Sequence, residues 1–297
     1  MAKNSKLYLV NDYSTLNHRY RSNILNYKKS NFSSIDSIGL FDSFSKFFFT
    51  LLVMLLRSKS VITSNLKTNL IFMMFFGKSG TIILNGLGRF SKNNKFRRAV
   101  GCLLGLNQKK TIFVQNYRDY RFFRRFYNCR LIWLPGSGGI KRKYFEESGY
   151  FSVTRSSKFL AQYDRLQKAL MALPDVKSFS IVGLSSSKVM NLDPRLKLCG
   201  YVDQSKIFMF GNKYVHLAGY GEGIPHVLVD ALVTGLTVYI EKAQFLEFGL
   251  NLLGYRFEYI RQGWGKCQLV DVESQNRIKY HNIAEKVFQP LIKKLAI

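Results

Sequence analysis

Residues 219–235 read GYGEGIPHVLVDALVTG. Two carboxylates in this stretch, Glu222 and Asp230, have a spacing that could do chemistry. Glycines flank Glu222, Pro225 follows, and an apolar run carries Asp230. Pro225 suits the first position of a helix, where its missing N–H would be unpaired anyway. The glycines allow a ligand close to backbone N–H groups, and a helix N-terminus favours an anion such as a diphosphate. Glu222 sits just ahead of that helix, and Asp230 leans back toward its start. One carboxylate could then accept hydrogen bonds from sugar hydroxyls and the other from a ribose. An acidic helix start followed by a solvated Asp has the same spacing. On spacing alone the two readings stand level.

Other motifs carry less. The stretch NGLG at 85–88 is an incomplete G-x-G-x-x-G with no acid at the required distance. Gly77-Lys78-Ser79 lacks the upstream glycine of a P-loop. No D-x-D occurs, and Asp271-x-Glu273 is a poor substitute, so a metal site of that kind has no candidate; no cofactor is expected. Cys102, Cys129, Cys199 and Cys267 lie far apart with no C-x-x-C, which fits free thiols better than zinc or a disulfide framework. His216 and His226 divide equally between core and surface roles, whereas His18 stands beside Arg19 in the turn expected after the first strand. YRDYRFFRRFY, from 117, interleaves arginines with aromatics as single-strand nucleic-acid binders do. It reads equally as an amphipathic helix with a cationic outer face.

The elements that must position these residues follow from apolar runs that end in polar or glycine turns. LYLV, SVITS, TIILNG, TIFVQN and RLIWLPG read as strands, with NLIFMMFF and RDYRFFRRF as helices among them. The pattern restarts with YFSVTR, a helical FLAQYDRLQKALMAL, SFSIVG, LKLCGYV, YVHLAG, a helix and LTVYI. Such alternation predicts parallel α/β sheets in two units that part near PGSGGIKRKYF, giving domains at 1–142 and 143–297. Asn282 with Glu285 resembles a capping box for a last helix, which could cross back to the first domain. Ligands of parallel sheets collect at the carboxyl ends of strands, so the chemistry is expected in the turns that follow them.

The net charge of +27 is uneven. Residues 1–142 hold 25 Lys or Arg against 4 Asp or Glu, and the remainder 20 against 14. A field of that size implies an anionic partner: nucleic acid, an anionic membrane or a phosphorylated substrate. FFFTLLVMLL (47–56) falls well short of the roughly 20 apolar residues that span a bilayer. Burial in the core is the expectation for it, with an interfacial helix the alternative. The first six residues are mostly polar and the apolar run at 7–10 is too short for a secretory signal.

An ordered set of segments resembles the family 4 glycosyltransferases. Glu222-Gly223-Ile224-Pro225, Asp230-Ala231 and Gly235 are similar to that family's EGxPxxxxEAxxxG signature. HRYRSNI (18–24), TSNLKTN (63–69), ILNGLGRF, IFVQNYRDYRFF, LIWLPGSGG and VTRSSK resemble its other segments in the same order, over residues 7 to about 240. Asp230 replaces a second Glu, Gly139-Ile140 replace a Val-Asp pair, and the basic pair expected around 155–160 is compressed, which bears on Lys158 more than on Arg155.

The resemblance implies a GT-B fold, in which two Rossmann-like domains face a central cleft. It implies a retaining, metal-independent transfer of a sugar from a nucleoside diphosphate sugar to a saccharide acceptor. Glu222, His18 and Arg155 would be catalytic. Arg155, Lys158, Gly221, Glu222, Gly223, Ile224, Pro225, Asp230, Ser137 and Gly138 would bind donor, with Glu222 at the sugar and Asp230 at the ribose. His18, Arg19, Lys67, Gly86, Gly88 and Arg89 would bind acceptor. The similar bacterial enzymes act on undecaprenyl-diphosphate-linked sugars for surface polysaccharide, so a lipid-diphosphate-linked acceptor is expected. The expected location is cytoplasmic, peripheral to the inner face of the cell membrane, and the basic first domain fits it. The rival reading is a basic nucleic-acid-binding protein on an α/β frame, although no RRM, KH or helix-turn-helix signature is visible.

Overall fold

The computed structural model describes residues 6–25, 32–127, 130–135, 149–154, 156–185, 192–217 and 223–269. The chain divides into two compact units. The first comprises Met1–Gly138 with Gly221–Ile224 and Asn282–Ile297, and the second Gly139–Tyr220 with Pro225–His281.

The first unit alternates strands and helices: β1 (Lys6–Asn11), α1 (Ser14–Tyr20), α2 (Ser22–Leu25), β2 (Ser34–Gly39), α3 (Phe44–Leu56), β3 (Val61–Ser64), α4 (Leu66–Met73), β4 (Gly80–Leu84), α5 (Asn94–Gly105), β5 (Lys110–Val114), α6 (Tyr117–Phe123) and β6 (Leu131–Trp133). All six strands are parallel, in the order β2-β1-β3-β4-β5-β6. Strands covered on both faces need apolar side chains on both. Accordingly Tyr8, Val10, Ile82 and Leu84 enter one core cluster, and Leu7, Leu9, Ile83 and Phe113 the other. Side-chain oxygens start three of the helices. Ser43 accepts from the N–H of Lys46, Asn93 from Phe96 and Asn116 from Asp119, each satisfying a first-turn donor.

The second unit holds β7 (Tyr150–Val153), α7 (Ser156–Ala172), β8 (Phe179–Val182), β9 (Leu196–Leu198), β10 (Lys213–Val215), α8 (His226–Thr234), β11 (Thr237–Glu241), α9 (Lys242–Glu247), β12 (Tyr255–Arg261) and β13 (Trp264–Leu269). Its sheet runs β12-β13-β11-β10-β7-β8-β9. Strands β7 to β11 are parallel. The α/β architecture with parallel sheets is the one the sequence predicts.

Three expectations are corrected. The second sheet is not wholly parallel, because β13 pairs antiparallel with β11 and with β12. FFFTLLVMLL is not a buried helix. Of the residues of α3 only Thr50, Val53 and Met54 are buried, since the sheet covers one narrow side of it. Pro225 has ψ 140° and caps α8 from outside, so the first helical residue is His226. Among the described residues no helix is long and apolar enough to cross a membrane. The helix expected after Asn282 lies outside them.

Candidate functional site

Each sheet has one place where neighbouring strands leave in opposite directions along the sheet, and a crevice forms at the carboxyl ends there. In the first unit β1 lies between β2 and β3, which puts the crevice at the ends of β1 and β3. In the second, β7 lies between β8 and β10, which puts it at the ends of β7 and β10.

The first crevice is lined by asparagines. Asn11 ends β1, Asn65 follows β3, and Asn85 follows β4. Asn11 accepts from the N–H of Asp12 at 2.8 Å and donates to Asn17 Oδ1 at 3.1 Å. Asn85 donates to Asn65 Oδ1 at 3.1 Å. Arg21, only 2% exposed, donates from Nη2 to Ser64 Oγ at 3.0 Å and to Asn85 Oδ1, tying the ends of β3 and β4 together. Burial pulls its guanidinium down to about 10, because desolvation disfavours the charged form. Asp12 Oδ1 accepts from the N–H and hydroxyl of Thr68, at 3.2 and 2.7 Å, and so holds the start of α4.

The expected acceptor residues fall around this frame. Lys67 is exposed in the first turn of α4, with Nζ 5.9 Å from the centre of the Phe41 ring. Gly86 and Gly88, at φ 124° and 55°, form the turn after β4. At Gly88 a Cβ would meet nothing within 4 Å, so its backbone angle is what requires glycine. His18 is exposed but sits on α1 rather than in the turn expected after β1, because α1 begins at Ser14. Arg19 is on the same helix, and Arg89 is in a short 3-10 turn at Gly88–Lys92.

At the second crevice Thr154 extends β7, its N–H bonded to Val182 O at 3.0 Å and its hydroxyl donating to Gln162 Oε1 at 2.6 Å. Lys158 is exposed in the first turn of α7. After β10 comes His216, 1% exposed, with Nδ1 3.2 Å from the Tyr214 hydroxyl. Burial first, and the nearby Arg165 charge second, push its pKa down to about 3, so it is neutral at pH 7. His216 is therefore a core residue, whereas His226, the first residue of α8, is half-buried. Asp230, the fifth residue of α8, is 1% exposed. That burial removes the solvated-Asp reading. Gly235 ends α8 at φ 84°, with the N–H of Leu236 bonded back to Ala231 O at 3.0 Å, which explains the last glycine of the signature. Gly223, half-buried, and Ile224, 4% exposed, precede α8 in the chain but group with the first unit. Arg155, Gly221, Glu222, Ser137 and Gly138 lie outside the described residues.

Sequence reasoning missed Arg21, Asn65 and Asn85 as a connected set. A signal existed: LYLVN, VITSN, TIILN and IFVQN place an Asn at the end of four strands of one sheet. The arginine-aromatic segment does form an amphipathic helix. In and just after α6, Arg118, Arg121, Arg124 and Arg125 are exposed, while Phe123 is buried and Asp119 pairs with buried Arg97 at 3.1 Å.

No family model and no curated protein matches the chain. Among solved structures it is similar to TarM, at 12% identity and a TM-score of 0.47, over 83% of this chain and 53% of that one. The chain thus spans about half the length of TarM. It is also similar to the glycotransferase of kitacinnamycin, at 11% identity and a TM-score of 0.40, over 99% of this chain and 95% of that one.

Proposed function

We propose that the protein is a glycosyltransferase that moves a sugar from a nucleoside diphosphate sugar, bound by the second unit, to a saccharide acceptor, bound by the first. One observation carries this reading. In the chain the segments that resemble the family's donor signature, TRSSK and GYGEGIPHVLVD, come directly after β7 and β10, the two strands that define the second unit's crevice. Their helical parts, α7 and α8, belong to that unit, whereas Gly221–Ile224 group with the first. Two Rossmann-like units are also the parts that a GT-B enzyme requires.

In this reading the leaving diphosphate is neutralised by Arg155 and Lys158 and by the backbone N–H groups of Gly223, Ile224 and His226, which act on charge that develops in the transition state. The first turn of α8 suits that task, because a helix N-terminus aims backbone N–H groups at an anion. Asp230 holds the ribose and Glu222 the donor sugar. The reaction retains anomeric configuration and uses no metal. The acceptor is a lipid-diphosphate-linked saccharide near His18, Lys67 and the Gly86–Gly88 turn, with the protein peripheral to the cytoplasmic face of a membrane.

A thermal-shift screen tests the reading. UDP or GDP at about 100 times its dissociation constant stabilises the fold by about 2.7 kcal/mol. Glu222→Gln keeps the fold and loses roughly 100-fold in turnover with the hit donor. Stabilisation by oligonucleotides and by no nucleotide sugar would favour the nucleic-acid reading instead.

A further inference from the structure

We propose that α3 (Phe44–Leu56) is the membrane-docking element of the protein, lying in the interface of an anionic leaflet with its outer face among the lipid chains. For its purpose, delivery of a lipid-linked acceptor, this rests on the function proposed above; the docking itself stands on the helix.

Surface helices ordinarily bury an apolar stripe and show a polar face to water. Here Val53 and Met54 are buried in the core as usual, but the outer face is apolar as well. Phe44, Phe48, Leu52 and Leu56, spaced four apart, are 80%, 54%, 52% and 70% exposed. Phe49 and Leu55 widen the same stripe, at 51% and 42%. Thr50, by contrast, is buried, and its hydroxyl donates to Lys46 O at 2.6 Å. Scattered exposed apolar residues need no explanation, but a contiguous face of six large ones marks an interaction site.

Three further features select a lipid surface as the occupant. The helix has 13 residues, about 20 Å at 1.5 Å per residue, which is too short to cross a bilayer but suits an interfacial helix. Exposed cations stand at both ends: Lys46, paired with Asp42 in the first turn, and Arg57 and Lys59 just past the last. They lie in a segment with 25 Lys or Arg against 4 Asp or Glu, and each cation near an anionic leaflet adds to the attraction. The apolar surface also continues to the first crevice. Phe44 packs on Phe48, Phe48 on Phe47, Phe47 on Phe41 and Phe41 on Tyr13, with centroids 4.8 to 6.3 Å apart. Tyr13 and Phe41 follow β1 and β2 at their carboxyl ends. Lipid at α3 would therefore adjoin the place assigned to the acceptor.

The test uses the full chain with vesicles of phosphatidylcholine and phosphatidylglycerol, three to one. Phe48→Trp should show a blue-shifted emission component quenched by brominated lipid. The quadruple variant Phe44→Ser, Phe48→Ser, Leu52→Ser, Leu56→Ser should bind these vesicles at least about 100-fold more weakly, which is roughly threefold for each of the four side chains and below the effect of burying them fully. It should melt with the wild type and turn over a water-soluble acceptor equally well. Raising NaCl to about 0.5 M should weaken wild-type binding without abolishing it, since salt screens the cations and not the apolar face. Vesicle binding equal in the quadruple variant and wild type, or absence of quenching in Phe48→Trp, overturns the proposal. So does a dimer in sedimentation that the quadruple variant breaks while lipid leaves the introduced indole unquenched. Docking through α3 in a protein that transfers no sugar would refute the proposed function and leave the docking standing. Sugar transfer without docking would do the reverse.

Discussion

At the scale of single residues, burial decides what spacing left open. Asp230 could be a ligand group or a solvated helix residue on sequence alone, and at 1% exposure it is not solvated. His216 was equally open, and its burial in the core beside Tyr214 settles it. Neither outcome could be read from the chain, because exposure depends on which residues the sheet brings alongside. His216 also makes a pH prediction. Its pKa is held at about 3 in the folded protein, against 6.5 for the ordinary group. Between those values the unfolded chain binds the proton and the folded one does not, so stability rises with pH across this window. Acidification from pH 6.5 toward 3 should therefore destabilise the protein by an amount on the order of a few kcal/mol from this residue alone. His216→Gln should have a shallower fall in melting temperature over that range. Identical slopes for the two proteins would show that His216 does not titrate on unfolding.

At the scale of elements, most strands that sequence reasoning found are covered on both faces, where apolar runs are obligatory, although β6 and β9 were legible at sheet edges. Val61–Ser64 and Gly80–Leu84 are buried along their whole length. The strands it missed are the edge strand β2, with the sequence SIDSIG, and the hairpin β12–β13, in which the edge strand β12 exposes Arg256, Glu258 and Arg261. Edge strands tolerate charge, so their pattern is diluted. The helix α3 misleads for the opposite reason: a strongly apolar segment reads as core, yet most of it lies at the surface. Close packing at the second crevice yields a test at this scale. Gly183 follows β8 at φ 96°, and a Cβ there would overlap the carbonyl oxygen of Thr154 at the end of β7. Both partners are main chain, so neither can rotate away. Gly183→Ala should cost about 2 kcal/mol or more from backbone strain and overpacking together. That corresponds to a fall in melting temperature of roughly 8 °C or more for a unit of this size. The variant should also bind donor nucleotide more weakly, because Thr154 borders the crevice. A melting temperature within error of wild type would mean that the two strand ends are not locked at this distance.

At the scale of the whole molecule, the unequal charge and the two crevices make separate claims, and one experiment can tell them apart. The segment 1–142 is rich enough in cations to attract any anion, a nucleotide included, without a built site. Diffuse attraction of that kind is screened over about 8 Å at physiological salt and fades further as salt rises. A crevice made of strand ends and a helix N-terminus holds its ligand by aligned N–H groups, which salt weakens far less. Hydrogen exchange of the full chain with UDP or GDP at about 0.5 M NaCl should therefore slow at the end of β7, the start of α7 and the first turns of α8. It should leave the ends of β1, β3 and β4 unchanged. A saccharide diphosphate acceptor analogue should give the opposite pattern, with protection around Asn11, Asn65 and Asn85 and little in the second unit. Protection by nucleotide confined to the first unit would reverse the assignment of donor and acceptor. Protection that spreads over the cationic segment at low salt and vanishes at high salt would reduce both crevices to ordinary surface, because charge alone would then account for every anion bound.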